Sequence, residues 1–168
     1  MMEDNPQIKI KGTNLDIALE TIALLLFLIS LVYTFYLYSV LPDEIPHHYN
    51  FNGEPDAWGS KNLIFVLLGI QTFQYGLLTL IAKYPHMHNY MVKITLENAV
   101  EMYTKGMRFL RGLKILLMIL FFAVIYENGQ SAQNEGGNLG WPFYTSFTLL
   151  IAYIFIYIVN QLITKRNH

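Results

Sequence analysis

The sequence predicts an all-α membrane protein of four transmembrane helices. Three observations carry that expectation: long apolar runs almost bare of charge, a shortage of solvating residues, and basic residues confined to alternate connections. Of 168 residues, 54% are hydrophobic and only 14% charged, against about a quarter charged in an ordinary soluble domain. The charges gather at the start, in the connections and at the end. A single domain is expected at this length.

A spanning helix needs about 20 apolar residues to cross a hydrocarbon core of about 30 Å. The run 21–40, "TIALLLFLISLVYTFYLYSV", meets this with no charge at all. It exceeds a signal-peptide core of about 7–15 residues and no small-residue cleavage site follows, so it reads as a retained span. Tyr33, Tyr36 and Tyr38 gather near its outer end as an interfacial belt would. The run 63–82 is the second span, with Gln71 and Gln74 as its polar exceptions. Gly69 and Gly76, seven apart, predict a close-packing face there. The third, 109–126, carries Arg111 and Lys114 in its first turns, which are expected to snorkel to the interface. The fourth is 143–163.

Lysine and arginine placement orients these spans. Lys9 and Lys11 precede the first. Lys83, Lys93, Lys105, Arg108, Arg111 and Lys114 lie between or at the edges of the second and third, and Lys165 and Arg166 follow the fourth. Ten of the eleven basic residues thus fall on one side, with Lys61 alone on the other. Both termini are therefore expected in the cytoplasm, and the loops 41–61 and 127–140 outside. Between the second and third spans, 95–110 has apolar residues at helical spacing: Leu96, Ala99, Val100, Tyr103, Met107 and Leu110. With Thr95 as N-cap and Glu101–Lys105 as an i, i+4 pair, it predicts an amphipathic helix on the inner membrane face.

No cysteine is present, which excludes disulfides and thiolate chemistry. A net charge of −1 gives no nucleic-acid footprint. The loop 41–61, "LPDEIPHHYNFNGEPDAWGSK", holds the densest chemistry. Adjacent histidines in a proline-flanked loop point different ways, so His47 and His48 are not expected to share a metal, and His86 and His88 fall across the bilayer from them. Ser60 has no nucleophile-elbow context. No catalytic residue, cofactor or metal is therefore expected. A plain connector would not need Ile45, Tyr49, Phe51 and Trp58, so the loop is expected to form an ordered outer cap and a peptide-binding surface. Within it Trp58 and a buried His48 are expected to be held in place, with Lys61 paired to Asp56. Gln71 and Gln74 are expected to bond neighbouring helices.

The loop resembles a signature, LP-x-x-I-P-x-H-x-N-x-x-G-x-x-D-x-W-G-S-K, of a bacterial membrane domain of unknown function found in SdpI-type immunity proteins. Leu41, Pro42, Ile45, Pro46, His48, Asn50, Gly53, Asp56, Trp58, Gly59, Ser60 and Lys61 match it. The later "YPHMHNYMVKITLEN" resembles a segment that follows this domain in short family members. The resemblance implies a bacterial inner-membrane protein that protects its cell against a secreted peptide toxin and relays the toxin's presence through a repressor held at the membrane. The reading is thus a non-enzymatic sensor or immunity-type protein whose cap-forming or binding residues are His48, Asn50, Asp56, Trp58 and Lys61. Its expected partners are the lipid bilayer, a secreted peptide or envelope protein, a cytoplasmic protein and a second copy of itself. A small transporter or channel subunit using the Gln71/Gln74 face is the first rival, and a metal-dependent enzyme on His48 and Asp56 the second.

Overall fold

The computed structural model describes residues 5–134 and 137–166. Four long helices form its frame: α1 (Asn14–Val40), α2 (Ile64–Ile81), α3 (Ala99–Gln133) and α4 (Trp141–Arg166). All four are long and apolar enough to cross a membrane. The 27 residues of α1 rise about 40 Å, more than the roughly 30 Å of a hydrocarbon core. The fold is mostly helical rather than wholly so. Residues Glu44–Tyr49 (β1) and Pro55–Ser60 (β2) pair antiparallel as a hairpin between α1 and α2.

Local chemistry explains why the helices outrun the apolar runs that announce them. At the start of α1, Thr13 and Asp16 form a capping box in which each side chain accepts from the other's backbone N–H. The helix therefore opens at Asn14 and not at 21. The larger departure is α3. The separate amphipathic helix 95–110, the span 109–126 and the first half of the loop 127–140 merge into a single helix, with Asn98 rather than Thr95 at its N-cap position. Residues 135–136 of that loop lie outside the described residues. Leu96 and Val100 stay exposed, while Ala99, Met102 and Tyr103 bury their faces against Ile94 and against Ile8 and Ile10 of the N-terminal segment.

Arg111 and Lys114 are paired inside the bundle rather than extended away from it. Arg111 donates to Asp16 at 2.8 Å and to Glu20 at 3.1 Å, and Arg108 reaches Asp16 at 3.3 Å. Lys114, only 1% exposed, bonds Glu20 and, at 2.9 Å, the Thr79 hydroxyl. Its ammonium also sits 4.9 Å from the centre of the Tyr75 ring. A charge in the bilayer costs several kcal/mol unless paired, and here α1 supplies the partners.

Midway along the bundle, the amide of Gln71 joins three helices. It accepts from Ser30 Oγ at 2.8 Å and donates to the Met118 carbonyl at 3.2 Å. Ser30, Gln71 and Met118 are wholly buried. Gln74 differs: it is half-buried and its Oε1 has no partner. Gly69 and Gly76 also depart from expectation, because nothing packs where their side chains would be. The close approach lies elsewhere, at Gly129, where an added Cβ would come within 2.6 Å of Leu37. α3 is the centre of the bundle, touching α1, α2 and α4, and α4 makes its main contacts with α3.

The connections sort to opposite ends. At one, Leu139 N–H donates to the Gly53 carbonyl at 2.8 Å, bringing the loop 137–140 to the hairpin. At the other, Asn5 donates to the carbonyls of His86 and His88, Tyr103 donates to Pro6, and Lys165 borders the same hollow as Met91 and Asn98.

Replacing Gln71 by leucine should strand Ser30 and the Met118 carbonyl and destabilise the fold by about 1–3 kcal/mol. Replacing Gln74 by leucine should be neutral or stabilising, since its carbonyl is already unpaired. Thermal unfolding of both variants in detergent tests the contrast, and equal losses would remove the distinction drawn between the two amides.

Candidate functional site

The hairpin is seated on the bundle by its first strand. Ile45 is buried with Leu37, Leu41, Ile64, Ile125 and Ala132, so β1 closes one end of the α1–α2–α3 core. Pro46 is buried beside it, and its carbonyl accepts a short hydrogen bond from the Asn128 amide of α3. Two consecutive buried residues require an irregular strand, because ideal pleating would turn one of them outward. The register accordingly slips between Pro46 and His48 and again before Tyr49.

Asn50 builds the turn. Its Oδ1 accepts from the N–H groups of Asn52 (2.8 Å) and Glu54 (3.1 Å), and its amide donates to the Glu54 carboxylate at 2.9 Å. Gly53 completes the turn at φ +78°, a left-handed conformation that disfavours any side chain. A Cβ there would also lie 2.5 Å from the Tyr144 hydroxyl at the start of α4. The tip is therefore pinned to the bundle while Phe51 projects fully into its surroundings.

The remaining cap residues divide between exposed and anchored. His48 Nδ1 lies 2.5 Å from Asp56 Oδ1 across the two strands, and the two side chains are 68% and 42% exposed. This overturns the buried His48. It also corrects the pairing of Lys61, whose partner is Asp43 at 3.1 Å rather than Asp56. Asp56 is already engaged by His48, and Lys61 is turned toward α1 by its own N–H, which donates to the Asp43 carbonyl at 2.9 Å. Its ammonium sits 5.3 Å from the centre of the Tyr38 ring. Trp58, opposite Pro46, keeps 43% of its surface open. His47 lies against Gly59, where a Cβ would come within 3.1 Å of its ring. Among the described residues, no three His, Asp or Glu side chains converge as a metal site.

Beneath the hairpin lies a polar cluster that the sequence reading assigned to a loop. Glu127, Asn128 and Ser131 on the last turns of α3 are all buried, and Tyr49 reaches in from β1. Burial raises the pKa of the Tyr49 phenol, and the Glu127 carboxylate pushes it the same way. Ser131 and Asn128 stand near enough to oppose that rise, yet the Tyr49 hydroxyl, Asn128 Oδ1 and Ser131 Oγ form no well-aligned hydrogen bond. The turn-like composition "ENGQSAQNEGG" hid this. Ile125, Gly129 and Ala132 do continue α3's spacing of three and four, and that was the available signal.

These features define a multi-pass membrane protein with one end of its helix bundle closed by a hairpin. Residues 25–72, from within α1 through the hairpin into α2, match the family model of a domain of unknown function, DUF1648. The matched stretch holds His48, Asn50, Asp56, Trp58, Lys61, Ser30 and Gln71, whereas Gln74 and the cluster on α3 lie beyond it. No curated protein and no solved structure matches the chain.

Asn50→Ala should cost about 1–3 kcal/mol, because the turn's N–H groups lose their acceptor. His48→Ala should cost less than about 1 kcal/mol, the usual range for an open ion pair. Thermal unfolding of each variant in detergent measures the difference, and a larger loss from His48→Ala would contradict the assignment of Asn50 as organiser of the turn.

Proposed function

We propose that the protein is a non-enzymatic membrane sensor of the immunity type, which recognises a secreted peptide or an envelope component at its outer hairpin. The observation that carries this reading is the hairpin's asymmetry. Ile45 and Pro46 fix one edge in the core, while Phe51 and Trp58 present aromatic surface at the other. Exposed aromatic groups on a rigid support suit recognition, since little side-chain freedom is lost on binding. His48 and Asp56 add a polar pair beside them. His48, Asn50, Asp56, Trp58 and Lys61 are then divided in role: Asn50 and Lys61 shape the hairpin, and the other three meet the partner.

In this reading the protein sits in a bacterial inner membrane with both termini in the cytoplasm. Support comes from the ends of the bundle. Lys61 lies at the hairpin end and the other ten basic residues at or near the opposite one, as cytoplasmic retention of lysine and arginine requires. The inner surface formed by 83–98 would meet a cytoplasmic protein, and the exposed apolar faces of α1, α2 and α4 would meet lipid or a second copy. A small transporter or channel subunit is the second reading, favoured by the polar groups Lys114, Glu20, Gln74 and Gln71 within the bundle.

Two measurements test the proposal. Single cysteines at Asn52 and Asn98 of this cysteine-free chain should label oppositely with an impermeant thiol reagent on intact cells, Asn52 reacting and Asn98 not. Labelling of Asn98 from outside would reverse the orientation. A photoreactive phenylalanine at Phe51 should then capture a secreted peptide or envelope protein on living cells. The same probe at lipid-facing Ile156 serves as control. Equal yields at the two positions would remove the hairpin from recognition.

A further inference from the structure

A groove of about 600 Å³ runs between α3 and α4, separate from the exposed face of the hairpin. Its walls are apolar, with Ile119, Phe122, Ala123 and Leu149 along its length and Trp141 at its mouth. From Ile119 to Gln130 it follows twelve residues of α3, which rise about 16 Å. That is close to half the roughly 30 Å hydrocarbon core, the depth of one leaflet. A groove of this length and apolar lining matches the dimensions of an acyl chain.

The chemistry of its outer end sets the headgroup. Glu127 lines the groove and is only 6% exposed. Among the described residues its carboxylate is in no ion pair, and Lys61, the lysine at this end, is committed to Asp43. A buried carboxylate without a counter-charge is costly, and a cation brought by a ligand removes that cost. The position of the carboxylate is built into the entrance of α4. A Cβ on Gly140 would stand 2.8 Å from Glu127 Oε1 and 3.1 Å from Oε2, so the carboxylate occupies space that a glycine leaves open.

We propose that the α3–α4 groove is a binding site for a membrane lipid with a protonated amine headgroup. The acyl chain lies along α3 and α4, and the ammonium donates to Glu127. An anionic headgroup is repelled by the same carboxylate. This site stands independently of peptide recognition at the hairpin.

Trp141 reports on it, because the chain has two tryptophans and Trp58→Phe leaves one. The full-length Trp58→Phe protein is placed in phosphatidylcholine nanodiscs with a small fraction of either brominated phosphatidylethanolamine or brominated phosphatidylglycerol. Because Trp141 is itself exposed to lipid, the readout is the ratio between the two quenchers and not quenching alone. Phosphatidylethanolamine should quench at least threefold more. Glu127→Gln should bring the ratio to about one by removing the charge. Gly140→Ala should lower it as well while keeping the charge, by displacing the carboxylate. Equal quenching in the parent protein overturns the site, and a preference that survives Glu127→Gln removes Glu127 from it. If either variant loses its helical circular dichroism, the parent ratio and the other variant still decide.

Discussion

The fold depends on the ion cluster that couples α1 to α3 at the end opposite the hairpin. Asp16 and Glu20 accept from Arg108, Arg111 and Lys114, and three cations on one helix could not otherwise enter the bundle. Once they are paired, the relative height of the two helices is set. Leu37 lies seventeen residues beyond Glu20, and Gly129 eighteen beyond Arg111, which are rises of about 26 and 27 Å. Leu37 therefore arrives level with Gly129, whose missing side chain leaves room for it. Asn128 follows, next to Gly129, and meets the Pro46 carbonyl. The seat of the hairpin is in this sense decided at the far side of the membrane.

The four apolar helices were legible in the sequence because their signal is length without charge, which needs no partner to be recognised. What failed was any inference that treated a polar residue alone. Arg111 and Lys114 shortened the expected third span only because their carboxylates sit about ninety-five residues away in the chain. Glu127, Asn128 and Ser131 read as loop because their burial comes from distant segments, the hairpin and the entrance of α4. Gly69 and Gly76 had the spacing of a packing face and no helix to pack against. In each case composition reported the residue and tertiary context decided its meaning.

The hairpin shows the same division at a finer scale. Its turn was recognisable from Asn50, Gly53 and their neighbours, since turn chemistry is local. The pairing of Lys61 was not, because Asp43 and Asp56 are both nearby carboxylates and only the strand register separates them. His48 reaches Asp56 because the slip in register brings it opposite Ala57, next to that carboxylate. Residues of the family-matched stretch thus serve unequal ends: Ile45 and Pro46 are anchors, Asn50 and Gly53 make the turn, and His48 and Trp58 are left at the surface.

The bond from Leu139 to Gly53 makes the hairpin a mechanical linkage as well as a cover. A load applied at Phe51 has two exits. One passes through Ile45 into a core braced by three helices. The other passes through Gly53 to the first turn of α4, where Tyr144 packs against the tip. The exits differ in anchorage: the first is shared by α1, α2 and α3, whereas α4 makes its main contacts with α3. Strain entering at the tip is therefore divided between a core shared by three helices and a helix held mainly by one neighbour.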